Sequence, residues 1–472
     1  MTGTFAILLF AAAAMVAVSY GWGMRGDLIG GEEGAILPGA LLGFCIAYFL
    51  GFASSEPKLM FYFIALGMTG MFMGGTEPYA EAFHLMYWGD LGIPKAPNMK
   101  KGFAALAVKG APWFGLCAAV ISVGFSALTG RYSAVSLVVL TALLPVVRAL
   151  GTVLFNNPFD PEKGKFPKIY FSETSREEWG GLWFMLLDFI IFEIIFKDSF
   201  ALTVTFCGCV GGSVGWIISQ LIHTATRVRM KNGKYFFGKF QENHLIDNWK
   251  IMEFGYGASG SLSIVVGFII CRGYVLRSVS LISAMPEGRW IAVSDTASAV
   301  LFAVWFAMFV LDNINHFIPE KLSAVKKVIE ILHRPMLCYI PMALLFLGNL
   351  KVALFMSVVV LFWQAPEELC FVQLKRRYRI TVPVMVSYIV LALLTAYTFI
   401  FSFDGINIKA LYLLMCLSYL FCASFANIAA VYGKDGRPKN VLKLIKTMGS
   451  FRTVKLHYIF CIILTTLFLI IY

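Results

Sequence analysis

The chain contains 472 residues, of which 59% are hydrophobic and 14% are charged, and its formal net charge is +12. Soluble domains are about half apolar and a quarter charged, so this composition excludes a simple water-soluble globule, a disordered chain and a disulfide scaffold. The mean hydropathy of +0.77 predicts an all-α polytopic integral membrane protein whose partner is the lipid bilayer.

About fourteen apolar runs are candidate transmembrane helices, because a span needs about 20 mostly apolar residues. They lie at roughly 3–20, 35–53, 59–75, 103–129, 134–155, 181–197, 200–222, 253–272, 292–313, 335–349, 351–363, 381–402, 410–431 and 456–472. The pair 335–349 and 351–363 is the weakest, since both runs are short and only Lys351 marks a turn. No signal peptide is predicted, because no Lys or Arg precedes the first run.

The basic residues are distributed unevenly between the two sets of loops that connect the predicted spans. Of 39 Lys and Arg residues, 29 lie in loops that follow odd-numbered spans and 8 in loops that follow even-numbered spans. Basic residues collect on cytoplasmic loops, so the odd loops are predicted to be cytoplasmic and both termini external. The positive charge therefore indicates orientation in a cell membrane, for which the bacterial inner membrane is favoured, rather than binding to nucleic acid.

Two stretches share one layout of hairpin, long basic loop and second hairpin. A shift of 141 residues places Gly67, Gly70 and Gly74 on three glycines of the later stretch, and Lys109 on Lys250. The predicted organisation is a first helix with a Gly-rich broken segment, two parallel four-helix repeats, a possible third repeat, and a basic loop with the last helix. These units span 1–34, 35–155, 173–313, 330–431 and 432–472.

The segment between the first two spans, residues 21–34, carries six glycines beside four charged residues: Arg25, Asp27, Glu32 and Glu33. Irregular backbone at membrane depth is tolerated only beside protein or a water-filled cavity. One interpretation is a broken or re-entrant segment whose charges face a solute. The alternative is an interfacial loop whose acids cap the helix that starts near Ala35.

A second polar group follows the third span. Glu77, Glu81 and His84 are spaced i, i+4, i+7, so a helix would place them on one face. They could bind a solute or a proton, hold a metal, or simply start a helix at Thr76. A di-iron site needs further carboxylate ligands from facing helices, which this segment does not supply, so no metal and no cofactor are predicted.

Charges within spans are costly and are candidates for function. Asp188 has no basic residue at i±3 or i±4, whereas Glu193 has Lys197 at i+4 and is expected to pair with it. Arg148 could pair with Asp188 or extend to the cytoplasmic surface. Four further polar positions lie near predicted cytoplasmic helix ends, where interfacial anchoring is the alternative to a site: Gln220, His223, Glu253 and Asp312, the last with His316 at i+4.

Other motifs add little. Gly255-Tyr-Gly-Ala-Ser-Gly260 opens an apolar helix, so its glycines are predicted to permit close helix contact rather than to bind a dinucleotide. The ten cysteines lie in or beside apolar runs and predict no disulfide framework.

Three function classes remain. A secondary transporter of a small polar solute, carbohydrate-like or an organic ion, is favoured. It would bind solute through Arg25, Asp27, Glu32, Glu33, Glu77, Glu81, His84, Arg148 and Glu253, and would couple to H⁺ or Na⁺ through Asp188 or Glu81. The alternatives are a membrane-embedded transferase that uses His84 or Asp312 and His316 for acid–base chemistry, and a channel or scramblase.

Overall fold

The computed structural model describes residues 3–28, 31–79, 82–83, 85, 98–227, 248–285, 294–314 and 323–360, and it is all-helical over these residues. The helices are α1 (Thr4–Leu28), α2 (Gly31–Leu50), α3 (Phe52–Ser55), α4 (Pro57–Gly75), α5 (Met99–Leu128), α6 (Ala134–Phe155), α7 (Trp179–Ile195), α8 (Ser199–Arg227), α9 (Asn248–Ile270), α10 (Arg272–Ala284), α11 (Asp295–Ile314), α12 (Ser323–Arg334), α13 (Ile340–Phe346) and α14 (Leu350–Phe355).

Seven helices among the described residues, α1, α2, α4, α5, α6, α8 and α9, are long and apolar enough to cross a membrane. This architecture indicates a membrane-embedded helical protein. The count of fourteen spans stays a prediction, and its last three runs, at 381–402, 410–431 and 456–472, lie outside the described residues.

The Gly-rich segment 21–34 is largely helical, which corrects the interpretation of a broken segment. Helix α1 continues to Leu28 and α2 begins at Gly31. The glycines serve close packing: a Cβ on Gly21 would lie 2.8 Å from Pro38 Cα, and one on Gly23 would lie 2.1 Å from the Phe254 ring. Because the helices touch there, the missing side chains allow contact rather than unwinding.

Glycines also join α2 to α4. A Cβ on Gly67 would lie 2.1 Å from the Gly39 carbonyl oxygen, and one on Gly39 would lie 2.1 Å from the Gly67 oxygen. Gly70 and Gly74 lie on the side of α4 that faces Cys117 and Trp113 of α5. The glycines of α4 therefore allow close contact with both neighbouring helices.

The later stretch shows a comparable contact. Gly211 and Gly215, which correspond to Gly70 and Gly74 in the 141-residue alignment, face Ser263 and Ser259 of α9. In both stretches the glycines of one helix thus pack on the next long helix of the chain. The division into repeats stays a prediction, and most of the possible third repeat lies outside the described residues.

The two weakest predicted spans form a short buried hairpin. Helix α12 continues through a π-helical turn (Pro335–Tyr339) into α13, and after a turn at Gly348 and Asn349 the chain returns as α14 and a second π-helical turn (Met356–Val360). Over the described residues, the apolar arms 335–346 and 350–360 are shorter than the ~20 residues of a span. Asn349 caps α14 by accepting a hydrogen bond from Val352 N (3.1 Å).

The described bundle has two distinct ends. At one end, the starts of α2 and α7 meet the ends of α4, α11 and α12, all of which flank loops predicted to be cytoplasmic. At the other end, Arg131 donates hydrogen bonds to the carbonyl oxygens of Phe196 and Lys197, which joins the turns before α6 and before α8. The grouping of loops inferred from charge agrees with these contacts.

Candidate functional site

A buried lysine and two glutamates form the centre of the polar end of the bundle. Lys109, on α5, lies 2.8 Å from Glu77 Oε1 and 2.5 Å from Glu177 Oε1, and its ammonium donates a third contact to the Pro78 carbonyl (2.7 Å). Lys109 is completely buried, and Glu77 and Glu177 are nearly so. Two carboxylates thus share one base, which leaves one negative charge uncompensated when both are ionised.

Loop backbone holds the two carboxylates in place. Glu77 Oε2 accepts a hydrogen bond from Glu178 N (2.8 Å), and Glu177 Oε2 accepts one from Phe171 N (2.9 Å). The Phe171 ring lies 6.0 Å from the Lys109 ammonium. The segment from Phe171 to Glu178 therefore covers this triad from the side of the loop between α6 and α7.

A second group surrounds Glu178, the residue before α7. Arg148 of α6 pairs with Glu178 Oε2 and donates to the Tyr339 hydroxyl (3.2 Å). Arg334, at the end of α12, lies 3.3 Å from Glu178 Oε1 and 3.1 Å from Glu32 Oε1. Here two acids meet two bases, so the charges balance.

A third group surrounds His333, near the end of α12. His333 Nδ1 lies 2.8 Å from Asp312 Oδ2, and its Nε2 lies 3.1 Å from Glu33 Oε1. Both ring nitrogens face carboxylates, so the imidazolium is the form that satisfies both contacts. The base is again shared by two acids.

Together these groups form one charge network, since Glu178 joins the first to the second and the adjacent residues His333 and Arg334 join the second to the third. Its members are Glu32, Glu33, Glu77, Lys109, Arg148, Glu177, Glu178, Asp312, His333 and Arg334. Among the described residues the network has six acids and four bases with His333 charged, and Glu33 and His333 have further interactions beyond these contacts.

The pKa values of groups outside the spans follow this geometry. Burial raises the pKa of Glu77 to about 7, against the opposing charge of Lys109. Burial would lower the pKa of His333, but its hydrogen bonds to Asp312 and Glu33 outweigh burial and raise it to about 10. Burial would raise the pKa of Glu178, but Arg148 and Arg334 lower it overall.

An aromatic cluster lies close to the triad in the sequence, since Tyr79 follows Pro78 and Trp113 lies one helical turn after Lys109. Tyr79 packs on Trp113 and Trp216 with ring centroids 5.9 and 5.3 Å apart, and Trp216 packs on Tyr256 at 4.7 Å. The Trp216 ring is 1% exposed, so the rings cover one another.

The structure brings together four of the predicted solute-binding residues, Glu32, Glu33, Glu77 and Arg148. Glu253 instead lies on a turn of α9 that packs on α1, where Ser19 donates to the Phe254 carbonyl (2.8 Å). The remaining predicted positions, the side chains of Arg25 and Asp27 and the whole of Glu81 and His84, lie outside the described residues.

The ion pairs expected from the sequence, Arg148 with Asp188 and Glu193 with Lys197, are not formed. Arg148 neither pairs with Asp188 nor extends to the surface; it pairs instead with Glu178, the residue immediately before α7. Asp188 is half-buried, and its buried Oδ2 has no hydrogen-bond partner among the described residues. The expected ion pair of Glu193 with Lys197 is not formed, because Lys197 has a φ of 51°, beyond the end of α7.

Three further predicted positions, Asp312, His223 and Gln220, have hydrogen-bond partners. Asp312 bonds His333 across helices, while His316 lies outside the described residues. His223 Nδ1 lies 3.1 Å from the Gln220 amide oxygen, and Gln220 donates to the Phe83 carbonyl (3.2 Å). Among the described residues, no group of three His, Cys, Asp or Glu side chains is arranged to hold a metal ion, and the six described cysteines are free.

Sequence reasoning missed five members of the network: Lys109, Glu177, Glu178, His333 and Arg334. A signal was available for four of them. Glu177 and Glu178 immediately precede the apolar run that begins at Trp179, and His333 and Arg334 immediately precede Pro335. Charged pairs directly beside a buried helix end are the positions from which side chains reach partners on other helices.

Comparison of this chain with models of protein families, with curated proteins and with solved structures finds no match.

Proposed function

We propose that this protein is a secondary active transporter of a small polar solute, carbohydrate-like or an organic ion, coupled to H⁺ or Na⁺. The supporting observation is the triad in which Glu77 and Glu177 share Lys109. An uncompensated carboxylate in a buried site is costly, so the triad favours a state with one proton or one monovalent cation bound.

The pKa of Glu77, raised to about 7, supports a proton as the coupling ion. A carboxyl group with this pKa gains and loses its proton near neutral pH, so a modest pH gradient changes its occupancy. Asp188 and Glu81 remain the further candidates for coupling. The solute is proposed to interact with the network at Glu32, Glu33, Arg148 and Arg334, where exposed and buried charges adjoin.

The charge distribution supports the proposed location. With 29 basic residues in the odd loops, the end of the bundle that carries the network would face the cytoplasm of a bacterial cell and both termini would be external. Substrate would then meet the network from the cytoplasmic side or leave from it.

A transferase that uses Asp312 and a histidine is less well supported. His333 does bond Asp312, as a general base would, but its second nitrogen faces Glu33. With its pKa raised to about 10, His333 stays protonated at neutral pH and cannot accept a further proton.

The test uses purified full-length protein in vesicles that contain a pH-sensitive dye. A panel of monosaccharides, amino acids and carboxylates is added outside, and acidification of the lumen reports proton-coupled entry; radioactive sodium tests the Na⁺ alternative. We expect Glu77→Gln to abolish the response. Glu162→Gln, the same change at an exposed loop residue, is the matched control. If no compound moves either ion, or if Glu77→Gln is as active as the parent, the proposal is wrong.

A further inference from the structure

Helix α7 carries a second acidic group far from the charge network. Glu193 lies fifteen positions after Glu178, about 22 Å further along the helix. Its turn adjoins the opposite end of the bundle, where Arg131 contacts the carbonyl oxygens of Phe196 and Lys197. The side chain of Glu193 is 0% exposed.

The contacts of Glu193 are unusually few for a buried carboxyl group. Oε1 accepts a hydrogen bond from the Thr205 hydroxyl of α8 (2.7 Å). Oε2 is buried and has no hydrogen-bond partner among the described residues. Since Lys197 lies outside the helix and is exposed, no local cation compensates the group.

The titratable groups around Glu193 do not compensate it either. Asp198 and Tyr132, from the two adjoining turns, and Cys209, from α8, face it. Arg131 is committed to Asp198, with Nε 3.4 Å from Oδ2, and Asp198 also accepts from the Tyr132 hydroxyl and caps α8 through Ala201 N (3.0 Å).

The basic residues of the other described helices that pack on α7 lie away from Glu193. Lys109 of α5 and Arg148 of α6 lie at the Glu178 end and are occupied by the charge network. Helix α13 contacts α7 through apolar rings, as in the pair of Phe346 with Phe189. Among the described residues, an ionised Glu193 would thus be a buried charge without a counter-ion, which costs several kcal/mol, whereas the neutral acid costs far less.

We propose that Glu193 is a second proton-binding site, which holds a proton on Oε2 while Thr205 holds Oε1. A hydronium ion from the external side gives its proton to the Oε2 carboxylate, and water remains; release is the reverse. In the transporter this acid would receive or release the coupling proton at the end opposite the Glu77–Lys109–Glu177 triad. That role rests on the proposed function, whereas the bound proton does not.

Infrared spectroscopy of the full-length protein in lipid tests the bound proton without any solute. A protonated carboxylic acid has a carbonyl stretch well separated from that of a carboxylate. At pH 7.5 we expect a component of this band that is lost in Glu193→Gln and kept in the control Glu162→Gln, whereas a component from the Glu77–Lys109–Glu177 triad is kept in Glu193→Gln and lost in Glu77→Gln. Thr205→Val should move the band to higher frequency, because a hydrogen bond to the carbonyl oxygen lowers its stretch.

The outcomes separate the two proposals. Absence of the band, or a band in Glu193→Gln as intense as that of the parent protein, overturns the inference. If the band is assigned but Glu193→Gln retains full solute-driven acidification in dye-loaded vesicles, the coupling role is overturned. If the parent protein shows the band and no compound drives acidification, the proposed function fails while the bound proton stands. Elution volume and helical circular dichroism check that each variant is folded.

Discussion

Lys109 Nζ lies 2.8 Å from Glu77 Oε1 inside the helix bundle, and the same ammonium lies 2.5 Å from Glu177. Lys109, on α5, therefore joins three structural units, because one of its acids follows α4 and the other lies in the loop before α7. Removing a shared counter-ion is more damaging than removing one of its two acids, because it leaves both acids buried without a base.

Lys109→Met should destabilise the protein by about 3–5 kcal/mol, as expected when a buried ion pair loses one partner. The triple variant that adds Glu77→Gln and Glu177→Gln should recover much of this loss, since no buried charge remains. Thermal unfolding in detergent measures both variants. Equal stability of the single and triple variants would contradict the charge argument.

Stability should fall in alkaline solution because of His333. Its pKa in the folded protein, about 10, lies above the ordinary value of 6.5. A raised pKa of a base contributes stability that is fully present below about pH 6.5 and is lost as pH rises through about 10. The unfolding midpoint of the parent should decline over this range, and that of His333→Gln should decline less. Parallel curves for the two proteins would argue against the two contacts of the imidazolium.

A methyl group between α2 and α4 should be poorly tolerated. In Gly67→Ala the new Cβ would lie 2.1 Å from the Gly39 oxygen, so the helices must separate, at a cost of about 1–3 kcal/mol. Gly273→Ala is the matched control, because nothing lies within 4 Å of its Cβ. It should be neutral or more stable by up to about 1 kcal/mol. The unfolding midpoints should therefore move in different directions.

The two ends of the bundle should lie on opposite sides of the membrane. Ser55 and Glu162 are both exposed, one before α4 and one in the loop before α7. Cysteines at these positions, in a background without native cysteines, should react with an impermeant maleimide from the outside and from the cytoplasm respectively. Labelling of both from one side would overturn the predicted orientation.

Much of the fold could be predicted from the sequence, because hydropathy is summed over neighbouring residues. The runs at 103–129 and 134–155 correspond closely to α5 and α6. The sequence marks the runs 335–349 and 351–363 as weak candidates for spans. It does not predict that they form a buried hairpin, because short apolar helices are stable there only where other helices enclose them. The glycines of segment 21–34 are compatible both with a broken helix and with close helix packing, and the sequence does not distinguish the two.

The sequence by itself determined that the protein is apolar, helical and asymmetric in charge, because composition and loop charge do not depend on which helices meet. The tertiary structure decided the partners of each charge. Arg148 pairs with Glu178, Asp312 with His333, and Glu193, among the described residues, with Thr205. These contacts join residues that are remote in the chain or on different helices, and an ionisable group takes its chemistry from the groups that fold against it.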